Sequence, residues 1–184
     1  MAKLAEKTYS DALFELAIEE NKVDSLYEEV LAVCSALSDN PQLKELMLHP
    51  KVVREEKIAI IENIFKGKVS EVLCGFLVRV VSAGRYELLD EILECFIARV
   101  KEYKKIGIAY VVTPSELEES QRKNVENRLL ETTGYSEMEM HYETDPGLIG
   151  GMRIRIGDKV VDSSISTKLT NLARELHKIQ LKNS

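Results

Sequence analysis

The chain has 184 residues, of which 45% are hydrophobic, and its formal net charge is −6. A chain of this length and composition can bury a core in one large or two small domains, so disorder is not expected. The acidic balance argues against a general nucleic-acid-binding protein, because phosphate binding requires a basic surface.

Membrane, metal and catalytic signals are weak in this sequence. No segment reaches the roughly 20 apolar residues of a transmembrane helix, and the charged N-terminus resembles neither a signal peptide nor a transit peptide. The three cysteines lack a C-x-x-C spacing, and no histidine has a ligand or nucleophile partner nearby in sequence. We therefore expect a cytosolic protein, able to attach to a membrane complex, with no metal, cofactor or active site.

Helical periodicity predicts six helices from Ala2 to about Lys105. Their predicted spans are 4–20, 23–37, 42–48, 53–65, 70–83 and 85–104. The fifth, SEVLCGFLVRVVSA, is apolar almost all round and should lie at the centre of a bundle. Its Arg79 is expected either to reach the rim or to contact an acidic partner.

The first predicted helix has an unusually wide apolar surface. Projected at about 100° per residue, its apolar side chains cover roughly 240° of the helix, more than one core face requires. This pattern leaves two interpretations open: neighbouring helices wrap it on two sides, or part of it faces a partner.

Composition and period change near Lys105. The β-branched segment 106–113 predicts a strand, and Pro114-Ser115 introduces a helix to about Thr132, with Ser115 and Glu118 at capping-box spacing. Residues 138–142 alternate as a half-buried strand, and a final helix begins near Ile165 with apolar residues at 165, 169, 172, 176 and 179. The prediction is a six-helix α-helical bundle followed by a small α/β domain of β-α-β-β-β-α order.

The run DPGLIGGMRIRIGDKVVD, residues 145–162, holds four of the nine glycines. A phosphate-binding loop needs a helix directly after its glycines, whereas here the alternating strand MRIRI follows. Gly157-Asp158 then predicts a type II′ hairpin that places Ile156 opposite Lys159 and Arg153 opposite Asp162. A nucleotide-binding enzyme is thus disfavoured. A nucleic-acid adaptor using the basic residues 168, 174, 178 and 182 fits the acidic chain poorly, because such a run is more often a solvated helix face.

Three segments resemble one known family. The C-terminal DPGLIGGMRIRIGDKVVDSSISTKLTNL resembles the signature of the δ subunit of F-type ATP synthases, which is similar to the mitochondrial oligomycin-sensitivity-conferring protein. The segments YSDALFELA and FLVRVVSAGRYELLDEIL resemble the family's first and fifth-to-sixth helices, so the resemblance covers essentially the whole chain. The signature positions are Asp145, Pro146, Gly150, Gly151, Gly157, Asp158 and Asp162. Ser163 departs from the family pattern, which often has glycine there.

The resemblance implies a non-catalytic subunit of the peripheral stalk, or stator, in a complex that couples hydrogen ion transport to ATP synthesis. Residues 1–105 would bind the N-terminal helices of α subunits, and residues 106–184 the C-terminus of the stalk b subunit, with the β subunit as a further candidate contact. The complex would lie on the cytoplasmic side of a bacterial plasma membrane. The implied α-binding positions are Tyr9, Ala12, Leu13 and Leu16 on the first helix and Val78, Arg79 and Val80 on the fifth.

Overall fold

The computed structural model describes residues 2–165 and 167–170. The chain divides into two compact units, residues 1–103 (unit 1) and 104–184 (unit 2), two residues before the boundary placed by the sequence. Unit 1 is helical and unit 2 is a small α/β structure. This coarse architecture confirms the prediction.

The helices of unit 1 are α1 (Ala2–Glu19), α2 (Val23–Asp39), α3 (Pro41–Leu48), α4 (Arg54–Phe65), α5 (Glu71–Ser82) and α6 (Leu89–Lys104), the last of which ends one residue past the unit boundary. The predicted start of the sixth helix at Arg85 is wrong, because Tyr86–Leu88 forms a separate 3-10 turn and α6 begins at Leu89. Gly84 ends α5 with φ +68°, and the Arg85 amide bonds back to the Val80 carbonyl. This Schellman-type end reverses the chain, so α6 begins only after the turn.

Ser70 connects the start of α5 to α2. Its hydroxyl oxygen accepts a hydrogen bond from the Leu73 amide (3.3 Å), which makes it the N-cap of the helix. Its own amide and hydroxyl both donate to Glu29 Oε2, at 2.9 and 2.7 Å. A capping residue thereby becomes a tertiary contact that positions α5.

The core of unit 1 draws equally on α5 and α6. The buried residues of these two helices are Leu73, Phe76, Leu77, Val80, Val81, Leu89, Ile92, Leu93, Phe96 and Val100. The expected enclosure of α5 is only partial, since Glu71, Gly75 and Arg79 on its outer side are exposed. One side of α5 is therefore left free for contacts outside the core.

Unit 2 is built on a four-stranded mixed sheet in the order β2-β1-β3-β4. Its elements are β1 (Ile106–Thr113), α7 (Glu119–Thr133), β2 (Glu137–Thr144), β3 (Arg153–Ile156) and β4 (Lys159–Asp162). β1 and β2 are parallel, with α7 as the crossover between them, and the other pairs are antiparallel. The Tyr142 hydroxyl donates to the Arg122 carbonyl at 3.1 Å, which places α7 against the face that carries Tyr142.

The predicted start of α7 near Ser115 is wrong. The helix begins at Glu119, and its capping box is formed by Glu118 and Gln121. The Thr113 hydroxyl donates to the Ser115 carbonyl at 2.8 Å, so the preceding residues form a turn instead of a first helical turn. Gly134 ends the helix with φ +71°, as expected of a C-terminal glycine.

The predicted final helix falls only partly within the described residues. Residues 165 and 167–170 are helical, whereas the predicted apolar positions 172, 176 and 179 lie outside the described residues. Across the described ranges, no helix is long and apolar enough to cross a membrane. The same ranges contain no group of three His, Cys, Asp or Glu side chains placed to hold a metal ion.

Candidate functional site: a helical groove and a glycine-built junction

The wide apolar surface of α1 has two structurally different edges. On one edge, the Phe14 ring packs edge-on to Tyr103 of α6 with centroids 5.5 Å apart, and the Arg99 guanidinium lies 5.8 Å from the centroid of the Phe14 ring. The other edge is a strip of four residues at helical spacing, Ala5, Tyr9, Ala12 and Leu16. Neighbours thus cover one edge, while the strip keeps exposed surface.

Tyr9 joins the strip to α5. Its ring meets Phe76 edge-on, with centroids 6.4 Å apart. The Arg85 guanidinium lies 5.3 Å from the centroid of the same ring. Both contacts hold the half-buried Tyr9 side chain in one place, so a ligand in this region would meet a preformed aromatic surface.

The α5 side of this surface is defined by Phe76. Val72 and Arg79 flank it at i−4 and i+3, so all three residues line the same edge of the helix. Phe76 is buried, with 9% of its surface exposed, whereas Val72 is half-buried and Arg79 is exposed. We name the surface formed by Tyr9, Ala12 and Leu16 of α1 with these three residues of α5 the α1/α5 groove.

Four of the seven predicted partner-binding residues line this groove: Tyr9, Ala12, Leu16 and Arg79. Leu13 and Val80 are 0% exposed and belong to the core beneath it, so neither presents surface to a partner.

Val78 lies on the other side of α5. It lines a cleft of about 530 Å³ together with Glu62 and Lys66 from α4 and its C-terminal end. Successive helical residues point about 100° apart, so positions 78, 79 and 80 cannot share one face. The same reasoning identifies Val72 and Phe76, which the sequence analysis missed.

The signature of unit 2 begins with a tight turn. The Asp145 amide donates to the Thr113 carbonyl at 2.8 Å, and the Leu148 amide donates to the Asp145 carbonyl at 3.1 Å. The Asp145 carboxylate accepts from the Gly147 amide at 2.9 Å, across Pro146. The turn buries Leu148, which is 7% exposed. Asp145 and Pro146 therefore form an anchored Asx turn.

Gly150 and Gly151 allow the chain to pass very close to the segment after β4. A Cβ on Gly151 would lie 2.5 Å from the Ser163 carbonyl oxygen, and one on Gly150 would lie 2.7 Å from the Ile165 side chain. The Ile165 amide donates to the Gly150 carbonyl at 3.0 Å. These glycines serve a backbone junction, because their missing side chains leave the space that the junction occupies.

The predicted hairpin register is confirmed. Ile156 lies opposite Lys159, and Arg153 lies opposite Asp162, with Arg153 Nε 3.5 Å from Asp162 Oδ2. Gly157 has φ +54°, and among the described residues the non-glycine positions with positive φ do not include Asp158. This combination agrees with the type II′ turn, in which only the first central residue has positive φ.

Asp162 supports the beginning of the helix after β4, whose N-cap is Ser164: the Ser164 hydroxyl accepts from the Thr167 amide at 3.3 Å. Asp162 Oδ1 accepts from the Ser164 amide and its Oδ2 from the Thr167 hydroxyl, both at 2.9 Å. The hydrogen bonds from Ser164 and, to a smaller extent, the hydrogen bond from Thr167 lower the pKa of the Asp162 carboxyl to about 2. With its oxygens already occupied, this carboxylate stabilises the junction of strand and helix and is poorly suited to catalysis.

Comparison with known proteins identifies the family. The family model described as "ATP synthase delta (OSCP) subunit" matches residues 5–176. The chain is 46% identical to the ATP synthase subunit delta of Lachnoclostridium phytofermentans, over 98% of this chain and 100% of that protein. It is 32% identical to the subunit of the same name from Alkaliphilus oremlandii, over 97% of this chain and 99% of that protein.

A solved structure supports the fold. A chain in the cryo-EM structure of the Toxoplasma gondii mitochondrial ATP synthase hexamer matches with a TM-score of 0.71 at 20% identity, covering 93% of this chain and 96% of that chain. The match to the family model and the identity to the two relatives confirm the resemblance drawn from the signature. The chain belongs to the ATP synthase delta (OSCP) subunit family, a component of the peripheral stalk of F-type ATP synthases.

Proposed function

We propose that the chain is a non-catalytic joint of the stator. Unit 1 binds the N-terminal helix of an α subunit in the α1/α5 groove, and unit 2 binds the C-terminal part of the stalk b subunit. In this arrangement the protein is peripheral, on the cytoplasmic side of the plasma membrane. A rotary motor delivers torque only if its stationary part does not turn with the rotor, so such a joint needs firm binding and no chemistry.

The observation that carries this proposal is the open strip on α1. Leu16 remains 41% exposed beside the immobilised Tyr9 ring, and the small side chain of Ala12 lies between them along the helix. Such a surface suits an amphipathic helix that inserts apolar side chains at i, i+3, i+4 and i+7 spacing. Ala12 would allow close approach of the two backbones, and Tyr9 would supply a rigid aromatic contact.

The test uses two variants of α1 that differ only in their side of the helix. Leu16 and Ile18 are 41% and 40% exposed, but Leu16 belongs to the groove and Ile18 lies on the opposite edge. We expect Leu16→Arg to weaken binding of a synthetic α-subunit N-terminal peptide by about tenfold or more, roughly 1.4 kcal/mol. Ile18→Arg should leave the affinity nearly unchanged. Calorimetric titration with the full-length chain measures both affinities.

Equal affinities of the two variants for the α-subunit peptide would contradict the proposed binding in the α1/α5 groove. Circular dichroism of each variant controls for folding, since both substitutions are on exposed positions of one helix. For unit 2, co-purification of the full-length chain with the b subunit should survive Leu16→Arg, because the two contacts are assigned to different units. Loss of b-subunit binding in Leu16→Arg would contradict the assignment of the two partners to different units.

A further inference from the structure

The sheet of unit 2 has a face that points away from α7. Side chains alternate between the two faces of a strand, and Tyr142 faces α7. The residues on the other face, here named the open face, are Ile106, Ile108, Tyr110 and Val112 of β1, Glu137, Glu139, His141 and Glu143 of β2, Arg153 and Arg155 of β3, and Val160 and Asp162 of β4.

Charge on the open face is sorted by strand. The β1 column is apolar, with its aliphatic residues half-buried and Tyr110 42% exposed. The β2 column beside it carries three glutamates, and the β3 column on the opposite side carries two arginines. An apolar column thus lies between an acidic column and a basic column. Beyond the basic column, β4 adds Val160 and Asp162, and Asp162 Oδ2 lies 3.5 Å from Arg153 Nε.

The middle of the open face is held in place by a stack of side chains. The Tyr110 ring stacks on His141 with centroids 4.9 Å apart and planes 17° apart. The Arg155 guanidinium lies 4.6 Å from the centroid of the Tyr110 ring on the same face, and His141 Nε2 is 3.0 Å from Glu139 Oε1. An ordered surface loses less side-chain freedom when a partner binds.

The spacing of the columns selects the shape of the partner. Neighbouring strands lie about 4.8 Å apart, so the acidic and basic columns are separated by about 10 Å, close to the diameter of an α-helix with its side chains. A second sheet would instead require an apolar face several strands wide. One apolar column between two charged ones therefore fits a single helix better than a second copy of this chain.

We propose that the open face binds an amphipathic helix of the stalk partner. The apolar stripe of that helix lies on β1, a basic edge lies over the glutamates of β2, and an acidic edge lies over Arg155, since Arg153 is already paired with Asp162 within the sheet. Because the charged columns on the two sides of β1 differ in sign, charge matching also sets the direction in which the helix lies. This inference rests on the proposed assignment of b-subunit binding to unit 2.

The experiment measures binding of a synthetic peptide with the sequence of the last turns of the b subunit from the same organism to the full-length chain. Two charge reversals on the open face, Arg155→Glu and Glu143→Lys, are compared with matched reversals elsewhere, Lys159→Glu and Glu131→Lys. All four residues are exposed, but Lys159 points to the face that carries α7, and Glu131 lies on α7 itself.

We expect each open-face reversal to weaken binding by about fivefold to tenfold, since unlike charges across the contact become like charges. The two control reversals should change the affinity by less than about twofold. Reversing the basic residues of the peptide to glutamate should restore binding to Glu143→Lys. Wild-type affinity should also fall as salt is added, because the charged edges are exposed.

Three results would overturn the inference. If the peptide binds the wild type but open-face and control variants bind it equally, the face is wrongly chosen and the proposed function stands. If neither the peptide nor the whole b subunit binds the wild type, the proposed role of unit 2 fails together with the inference. If sedimentation shows a wild-type dimer that Arg155→Glu dissociates, the face binds a second copy of this chain.

Discussion

Replacing Gly151 with alanine is expected to destabilise unit 2 by about 3 kcal/mol. Gly151 has φ +86°, and an L-residue in this region costs about 1 kcal/mol relative to glycine. The new Cβ would lie 2.5 Å from the Ser163 carbonyl oxygen and 2.9 Å from Ser164 Cα. Both neighbours are backbone atoms, so the clash cannot be relieved by rotating a side chain.

The remaining destabilisation comes from hydrogen bonds across the junction. The Ser163 amide donates to the Met152 carbonyl at 2.9 Å, and the Ile165 amide donates to the Gly150 carbonyl at 3.0 Å. Moving the two segments apart weakens both bonds, each of which contributes about 1 kcal/mol. Together with the backbone strain, these losses give the expected 3 kcal/mol.

Hydrogen exchange followed by mass spectrometry suits this measurement, because it reports each unit separately. The chain has no tryptophan, so intrinsic fluorescence offers no probe specific to unit 2. Amides in β3 and β4 should lose protection in Gly151→Ala, whereas those in α5 should keep theirs.

Gly157→Ala is the matched control. Gly157 also has positive φ, at +54°, but nothing lies within 4 Å of the position of an added Cβ. This variant should therefore lose only the backbone contribution of about 1 kcal/mol. Equal loss of protection in the two variants would refute the argument that close backbone approach is what requires Gly151.

Three further substitutions or reactions test other parts of the structure. Ser10 is fully buried, and its hydroxyl has no hydrogen-bond partner among the described residues. Ser10→Ala should therefore raise the free energy of unfolding of unit 1, measured by urea titration, by about 1 kcal/mol. A lower free energy of unfolding in this variant would contradict the view that the Ser10 hydroxyl is unsatisfied. Hydrogen bonds in the folded state lower the pKa of Asp162 from 3.8 to about 2, so its contribution to unit 2 is complete above pH 4 and is lost as the pH falls towards 2. Asp162→Asn should remove that pH dependence in amide NMR of β3 and β4, and an unchanged profile would refute the assignment. Burial is the main cause, and the charges of nearby acids the smaller cause, of a rise in the pKa of the Cys34 thiol from 9.0 to about 11. Alkylation of Cys34 at pH 8 should therefore be about 100-fold slower than in the unfolded chain. Equal alkylation rates in the folded and unfolded chain, measured by peptide mapping, would contradict this prediction.

The hairpin register could be predicted because it depends on neighbours in sequence. The alternation of residues 153–156 and a two-residue turn at Gly157-Asp158 determine which residues face each other across the strands. Helix ends were less predictable where a side chain has alternative partners. Thr113 bonds to the Ser115 carbonyl, and this contact moves the start of α7 to Glu119.

The α1/α5 groove was also predictable only in the part that depends on neighbours in sequence. The excess apolar surface of α1 was visible in the sequence, and so were Tyr9, Ala12 and Leu16 as its members. The sequence did not reveal which edge of α5 faces α1, since that depends on how the two helices pack. The Tyr9–Phe76 contact places the groove on the edge with Val72 and Arg79 and leaves Val78 on the side towards α4.

The sequence by itself determined the family, the division into a helical and an α/β unit, and the hairpin within the signature. The division into units and the hairpin follow from local periodicity and turn chemistry, which are encoded in consecutive residues. The family follows from the resemblance of residues 145–172 to its signature. Only the tertiary structure decided why Gly150 and Gly151 are needed, since the atoms that would clash with their side chains come from residues 163–165. It also decided which residues become core and which remain surface, because burial depends on segments that are distant in sequence and adjacent in space.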